Sequence, residues 1–353
     1  MSIIMPVRRL WPLVLAGLSG AALAETAAEA MGRCANVAQA TERLACFDLA
    51  ASASPAVAAV APQPAEGAEP PAPTAVLAEG SPALHTPLAR QWDLDEDDKR
   101  GIFVLRAHKP TYMMPVWYLQ HPNRTPQTPS RGSADLFDRV LDHTEAKFQI
   151  SFKTKLWENL LGSPADLWFG YTQQSHWQLY NKEQSSPFRE TDYEPELVAT
   201  LPVSWHALGW DVRMLGAGLV HQSNGQSDPL SRSWNRVYLT ASAERGPWTV
   251  NARVWRRLSE SAGNDDNPDI SKYMGYGDVQ AVYSTGSHTF AALGRLNAGS
   301  GKGALQLDWT FPVFHRLRGY VQYFNGYGES LIDYNYRTQA VGVGLMLNDW
   351  LAN

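Results

Sequence analysis

Apolar and polar residues alternate from residue 112 to the end of the chain, in segments of about ten residues. In the segment 144–156 one face is apolar and the other polar, so that Phe148, Ile150 and Phe152 oppose Lys147, Gln149, Ser151 and Lys153. Because successive side chains of a strand point to opposite faces, each segment predicts a strand with one apolar face. Twelve such strands are predicted, at 112–120, 144–156, 165–177, 193–204, 209–222, 235–244, 247–258, 273–284, 288–297, 302–312, 316–326 and 339–348.

An even number of alternating strands separated by turn residues is typical of a bacterial transmembrane barrel. The sequence therefore predicts an all-β fold, a twelve-stranded antiparallel β-barrel with its apolar face toward lipid. A soluble β-sandwich would show the same alternation. The barrel is favoured because interfacial girdles place tryptophans near strand ends, as found for Trp157, Trp168, Trp177, Trp205, Trp210, Trp234, Trp248 and Trp350. Four long connections are expected to face outward, at 178–192, 223–234, 259–272 and 327–338.

The first residues have the pattern of a secretory signal. Arg8 and Arg9 precede an apolar stretch that ends at Ala24, and this stretch is shorter than the ~20 residues of a spanning helix. We interpret residues 1–24 as a signal peptide. Beyond it the chain has no further long apolar run, so the barrel is expected in the outer membrane.

Two further segments precede the predicted barrel, which spans residues 96–353. Residues 25–50 predict a short periplasmic helical segment, in which export allows Cys34 and Cys46 to form a disulfide. Residues 51–95 are rich in Ala and Pro and bury too little to offset their ordering entropy, which predicts a disordered periplasmic linker.

The composition and net charge of the chain argue against one class of partner, nucleic acids. The chain carries 13 Trp, 14 Tyr and 11 Phe, and its net charge is −5. A nucleic-acid partner would require a basic stripe, so none is expected.

The densest group of reactive side chains follows the fifth predicted strand. His221 and Ser223 are two residues apart and lie on the apolar face of that strand. Asn235 lies at a position of the apolar face of the next strand. If the hairpin closes between them, an imidazole, a hydroxyl and a carboxamide meet as cross-strand neighbours. These groups suit acyl transfer, because a serine hydroxyl needs an adjacent base and the base needs an orienting acceptor. The alternative is a solvated strand end, since no G-x-S-x-G motif is present.

Several longer stretches resemble the outer membrane phospholipase A family. They are SSPFRETDYEPE at 185–196, HQSNGQSDPLSRSWNR at 221–236, DDNPDISKYMGY at 265–276, GYGESLIDYNY at 326–336 and VGVGLMLND at 341–349. The resemblance implies a twelve-stranded barrel that hydrolyses acyl esters of phospholipids and lysophospholipids, as an A1/A2-type phospholipase. It also implies an idle monomer and an active Ca²⁺-bound homodimer.

The same resemblance assigns roles at the hairpin. It implies that His221 is the general base, Ser223 the nucleophile and Asn235 the orienting amide. The backbone N–H of Gly225 is expected to donate to the oxyanion that forms when Ser223 attacks.

Calcium ligands are also implied by the resemblance. The catalytic ion is expected to bind the Ser231 hydroxyl, the Gln226 carbonyl and, across a dimer interface, the carbonyl of Ser185 of the partner subunit. Gln226 departs from the family, which commonly has Arg there, but a main-chain ligand tolerates the change. Asp266, with Asp228 nearby, is expected at a second calcium position.

Gln173 is predicted on the apolar face of the third strand. It either lies above the hydrocarbon or, as the resemblance implies, bonds its counterpart in a second barrel. Two other hypotheses for the whole protein remain at this point. One is a catalytically silent outer-membrane barrel with a structural or channel role, and the other is a periplasmic lipase on a soluble β scaffold.

Overall fold

The structure is a computed structural model that describes residues 33–34, 36–52, 86–314 and 317–348. The predicted signal peptide, most of the predicted linker and Trp350 lie outside these residues. The chain divides into two compact units, Met1–Leu77 and Ala78–Asn353. No helix among the described residues is long and apolar enough to cross a membrane.

The first unit contains helix α1, Ala40–Ser52. A disulfide joins Cys34 to Cys46, with their Cα atoms 5.5 Å apart, which confirms the expected pairing. The predicted helical segment is therefore present in its second half, and it ends two residues later than expected.

The second unit is built on one large antiparallel sheet. Its strands are β1 Arg106–Ala107, β2 Thr111–Leu119, β5 Thr144–Trp157, β6 Asp166–Trp177, β7 Phe188–Ala207, β8 Trp210–Ser223, β9 Ser233–Arg245, β10 Trp248–Arg257, β11 Gly277–Thr285, β12 His288–Asn297, β13 Lys302–Phe314, β14 Leu317–Tyr327 and β15 Arg337–Asn348. The two-residue strands β3, Gln127–Thr128, and β4, Gly132–Ser133, pair separately. The twelve long strands each pair with two others of their number, and pairing of β5 with β6 closes the sheet. The short β1 adds to β5 alone. The predicted twelve-stranded barrel is confirmed.

Two strands begin four or more residues away from the predicted start. β7 begins at Phe188 rather than at residue 193. β11 begins at Gly277 rather than at residue 273, because Ile270–Met274 forms helix α3. Ile270 and Met274 are buried in the core, so Met274, which the prediction places at the start of the strand, instead lies on the inner face of a short helix.

The polar faces of the strands line the barrel interior. Lys147, Lys153 and Lys155 are buried, while Ile150 on the opposite face is 49% exposed. Two of these ammonium groups are paired: Lys155 Nζ lies 2.8 Å from Asp166, and Lys147 Nζ lies 3.0 Å from Glu329. Lys153 Nζ instead lies over the Trp92 ring, 3.2 Å from its centre. Pairing offsets the cost of removing these ions from water.

Helix α2, Pro87–Trp92, also lies among the interior residues. Thr86 caps it by accepting a hydrogen bond from Ala89 N at 3.1 Å. Leu88 is buried, and the ring of Trp92 packs edge-on against Trp168. The prediction that the disordered linker extends to residue 95 is therefore wrong. The segment lacks strand alternation because it fills the interior instead of forming the wall.

Two tryptophans assigned to the interfacial girdle are in fact interior residues. Trp168 and Trp234 are fully buried. Trp168 Nε1 donates to Thr200, and the guanidinium of Arg236 lies 4.0 Å from the centre of a Trp234 ring. Position near a strand end did not distinguish inward from outward side chains. Other members of the set are exposed as predicted: Trp157, Trp205 and Trp248.

The long connections gather at one end of the barrel and contact one another. Thr128 Oγ1 donates to the Asp266 carbonyl at 2.6 Å, and Asn123 Nδ2 donates to Asp333 at 2.9 Å. The connection 120–143, between β2 and β5, was absent from the predicted long connections. This connection contacts the other long connections through Thr128, Ser130 and Asn123.

Candidate functional site

Strands β8 and β9 place His221 directly opposite Asn235, and Ser223 opposite Ser233. On β8, Leu219 is exposed and Val220 is buried, so His221 continues the outward face. The predicted juxtaposition of His221 and Asn235 on the outer wall is thus present. It follows from the alternation of side chains together with the pairing register.

The imidazole and the carboxamide are hydrogen-bonded. His221 Nδ1 donates to Asn235 Oδ1 at 2.9 Å. This bond puts the ring hydrogen on Nδ1 and leaves Nε2 with a free lone pair. Ser223, two residues further along the strand, is half-buried, and no hydrogen bond joins its hydroxyl to the His221 ring in the described part of the chain.

Asn235 has a second side-chain partner that no sequence pattern indicates. Its Nδ2 donates to Glu260 Oε1 at 2.9 Å. The main chain brings the two residues together, since Leu258 N donates to the Asn235 carbonyl at 2.8 Å. Glu260 lies in a polar connection 25 residues beyond Asn235. No periodicity or motif marked it, because only the return of the loop after β10 creates the contact.

Gly225 lies in a tight turn just after β8. Its φ is +63°, in the left-handed region that favours glycine, and a Cβ here would lie 3.2 Å from the Tyr193 ring. The Asn224 side chain closes the turn, because its Oδ1 accepts hydrogen bonds from Arg232 N at 2.9 Å and Gln226 N at 3.3 Å. The backbone at Gly225 is thereby held close to the strand that carries Ser223.

Three residues predicted to bind calcium meet at this end of the barrel. Ser231 Oγ donates to Asp266 Oδ2 at 2.7 Å. Arg131, which no sequence pattern marks, donates to the other oxygen of Asp266 and lies 3.2 Å from Asp228 Oδ1. The hydrogen bond to Asp266 raises the pKa of Arg131, so the guanidinium is a permanent positive charge between the two acids.

The other two predicted ligands make contacts of their own. The Gln226 side chain donates to Glu190 at 3.0 Å, on the interior side. Ser185 is exposed in the connection between β6 and β7, and its φ is +59°. Its N–H donates within its own loop, to Lys182 O at 3.2 Å.

Gln173 lies level with Ser223 on the outer wall. Gln173 pairs with Tyr193 on β7, and Tyr193 pairs with Ser223 on β8. With a strand spacing of about 4.8 Å, the two positions are roughly 10 Å apart. Gln173 accepts a hydrogen bond from Tyr171 and donates one to Ser175, at 3.1 and 3.4 Å.

An apolar groove of about 650 Å³ runs along the outer wall below His221. It is formed by neighbouring strands β6 to β10, and its apolar lining includes Leu167, Leu197, Ala217, Leu219, Val237 and Leu239. The groove follows the strands away from the His221–Asn235 pair, in the direction expected for lipid hydrocarbon.

No three side chains of His, Cys, Asp or Glu converge as a metal site within residues 33–34, 36–52, 86–314 and 317–348. A cation near Asp266 would therefore depend on hydroxyl and main-chain oxygens as well as carboxylates. Such oxygens are the usual ligands of Ca²⁺.

Comparisons with family models and with known sequences relate this chain to one family of proteins. A family model described as phospholipase A1 matches residues 88–347. A putative phospholipase A1 from Neisseria meningitidis is 49% identical over 273 residues, which cover 75% of this chain and 71% of that protein. Phospholipase A1 from Escherichia coli is 46% identical over 205 residues, 58% of this chain and 70% of that protein.

Solved structures agree with the sequence comparisons. Outer membrane phospholipase A from Escherichia coli has a TM-score of 0.65 at 40% identity, covering 71% of this chain and 95% of that one. A calcium-bound dimer of the Salmonella typhi protein has a TM-score of 0.65 at 37% identity, covering 75% and 98%.

Proposed function

Since the chain belongs to the phospholipase A1 family of carboxylic ester hydrolases and forms a β-barrel of the bacterial outer membrane, we propose that Ser223 is its nucleophile toward lipid acyl esters. His221 is the general base, and Asn235 orients it. The single observation that carries this assignment is the 2.9 Å hydrogen bond between His221 and Asn235, on the outer wall beside Ser223. The substrates are phospholipids and lysophospholipids.

The proposed chemistry is a two-step acyl transfer. His221 Nε2 takes the Ser223 proton as Oγ attacks the ester carbonyl carbon, and it then gives that proton to the departing alcohol. Water, deprotonated by the same nitrogen, then attacks the acyl carbon and the bond to Ser223 Oγ breaks. Oγ takes the proton back from Nε2, and the fatty acid is released. The Gly225 N–H is assigned to the oxyanion, since the turn is held close to β8.

A related protein supports the role of the carboxamide. One solved structure of the Escherichia coli enzyme is an active-site mutant in which asparagine is replaced by alanine, so an asparagine belongs to that active site. In this chain Asn235 is the asparagine bonded to the candidate base. A neutral third member also costs less than a carboxylate at a site against lipid.

The groove on the outer wall supports an acyl substrate. Leu219 lines it and precedes His221 by two residues on the same face. A fatty acyl chain in the groove would remain in apolar surroundings while its ester lies near Ser223. This geometry lets the enzyme act on lipids of the bilayer in which it resides.

We further propose that the protein depends on Ca²⁺. The donor set near Asp266 fits this ion, because it consists of hydroxyl, carboxylate and main-chain oxygens. Ser231, the Gln226 carbonyl and Ser185 of the partner subunit would hold the catalytic ion, and Asp266 with Asp228 a second one. When bound, the cation supplies positive charge that stabilises the oxyanion. Arg131 supplies one positive charge to the same acids from within the chain.

The active form is proposed to be a homodimer. A homologous enzyme from Salmonella typhi has been solved as a calcium-bound dimer. Gln173 lies in the same cross-strand row as Ser223, so a second barrel docked at Gln173 would add a second wall to the substrate groove. Dimerisation would then regulate access of lipid to the serine.

The alternative of a catalytically silent channel has less support. Helix α2 and paired charges such as Lys155–Asp166 occupy the interior. A barrel of twelve strands has little lumen beyond its side chains.

The proposal is tested by hydrolysis of a micellar phospholipid by the purified protein, with Ca²⁺ or with a chelator. Wild type should release fatty acid only with Ca²⁺, and Ser223→Ala should be inactive in both conditions. Ser227→Ala, at an exposed serine of the same loop, is the matched control and should retain activity. Activity of Ser223→Ala would overturn the serine mechanism, and turnover in chelator would overturn the calcium requirement.

A further inference from the structure

We propose that Glu260 is a positioning residue that fixes the orientation of the Asn235 carboxamide and, through it, the tautomer of His221. The inference rests on the proposed serine mechanism and extends it by a fourth residue. Glu260 is assigned no contact with substrate. Its role is exerted entirely through Asn235.

The need for such a residue comes from the symmetry of a carboxamide. A side chain of Asn can present either its oxygen or its NH₂ group to a neighbour, since the two ends have nearly the same shape. If NH₂ faced His221 Nδ1, that nitrogen would have to accept, and the ring hydrogen would move to Nε2. His221 could then no longer remove the Ser223 proton. An aspartate in this position would avoid the problem, but it would place a charge against lipid.

Glu260 removes this ambiguity. An ionised carboxylate only accepts hydrogen bonds, so the group facing Glu260 Oε1 at 2.9 Å must be the Asn235 NH₂. The Asn235 oxygen is thereby turned toward His221 Nδ1, 2.9 Å away, and Nε2 is left free to act as a base. The bond to Glu260 is charge-assisted, which makes it stronger than a neutral one.

The carboxylate is itself held in place. Arg257 Nη2 lies 3.5 Å from Glu260 Oε2 and 2.5 Å from Asp265 Oδ1, and Nη1 donates to the Asn267 carbonyl at 3.1 Å. The Glu260 side chain is 17% exposed. Arg257 is therefore a counter-ion that Glu260 shares with Asp265.

Backbone contacts bring the connection back to the strand at this point. Leu258 N donates to the Asn235 carbonyl at 2.8 Å, and Asn267 Oδ1 accepts from Ser233 N at 3.0 Å. The loop is thus anchored on either side of Glu260 to the strand that carries Asn235. A loop fixed at both positions can hold the carboxylate at a constant distance from the amide.

The test is a double-mutant cycle on the full-length protein in micelles with phospholipid and Ca²⁺. Glu260→Ala should lower kcat about tenfold and leave KM nearly unchanged, because a charge-assisted bond is lost away from the substrate. Glu260→Gln, which retains an acceptor oxygen, should recover part of the loss. The matched control is Ser259→Ala, at the exposed neighbour in the same connection.

The decisive comparison is made in the Asn235→Ala background. If Glu260 acts only through Asn235, adding Glu260→Ala to Asn235→Ala should cause no further loss, whereas a general loop effect would be additive. The labelling rate of Ser223 by a fluorophosphonate probe should follow the same order as kcat. Additive losses, or a wild-type kcat in Glu260→Ala, would overturn the role of Glu260 while leaving the serine mechanism intact. Activity in Ser223→Ala would instead overturn the mechanism itself.

Discussion

Arg131 donates two hydrogen bonds to a single carboxylate oxygen of Asp266, from Nη2 at 2.8 Å and from Nε at 3.0 Å. It also lies 3.2 Å from Asp228. The two acids expected at a second calcium position are thus already paired with a cation of the chain itself. Calcium binding there must compete with Arg131 or share the carboxylates with it.

Removing this guanidinium should strengthen calcium binding. Arg131→Ala releases both acids, and we expect the dissociation constant for Ca²⁺ to fall about two- to fivefold, the range of a partly exposed ion pair. Isothermal titration calorimetry of the purified protein measures this directly. Arg139→Ala, in an exposed pair with Asp135 on the same connection, should leave the constant unchanged. Weaker binding in Arg131→Ala would show that the arginine instead shapes the site.

A side chain at position 225 should disturb the turn above Ser223. In Gly225→Ala the new Cβ meets the Tyr193 ring at 3.2 Å, and a φ of +63° costs about 1 kcal/mol for any residue with a Cβ. We expect hydrolysis to fall about tenfold while the barrel stays folded. Gly263→Ala is the control, since nothing lies within 4 Å of its Cβ position and its φ is not strained. Wild-type activity of Gly225→Ala would argue against a role of the Gly225 backbone.

Gln173 should contribute to dimer formation. Gln173→Ala removes an amide from the cross-strand row that contains Ser223. If that amide bonds its counterpart in a second barrel, the dissociation constant of the dimer should rise roughly fivefold. Sedimentation in detergent with Ca²⁺ reports the change. Gln339→Ala, an exposed glutamine on β15, serves as the comparison. Unchanged sedimentation of Gln173→Ala would count against this contact.

Arg189 should be important for barrel stability. It is buried and contacts Glu145 at 2.8 Å, Asp333 at 2.6 Å and Glu329 at 3.3 Å. Arg189→Met would leave these acids buried with their main partner removed, which typically costs about 3–5 kcal/mol. Thermal unfolding in micelles, followed by circular dichroism, should occur at a clearly lower temperature. Arg337→Met, at an exposed arginine of β15, should unfold near the wild-type temperature, and equal behaviour of both variants would contradict the prediction.

The sequence predicted the wall of the barrel well, because a strand between lipid and a packed interior must alternate residue by residue. Twelve strands and the outward face of His221 followed from this pattern. The pattern gave no information on residues that fill the interior. Helix α2 was assigned to a linker for that reason, and Trp168 and Trp234 were assigned to the outer girdle.

The sequence predicts the part of the candidate site that lies on a single hairpin. His221 and Asn235 face each other because strand pairing places them there, and the sequence contains both the alternation and the connecting loop. Arg131 and Glu260 could not be found in the same way. Each lies in a polar connection without periodicity, and each reaches the site only after loops from different hairpins have packed together.

The sequence by itself therefore determined the closed sheet, its lipid-facing side chains and the residues that the β8–β9 hairpin brings together. Only the tertiary structure decided which charged groups surround that hairpin, because their positions depend on contacts between distant connections. Local alternation specifies the direction of a side chain relative to its own strand. The partner that this side chain meets is specified by the folding of the loops at the end of the barrel.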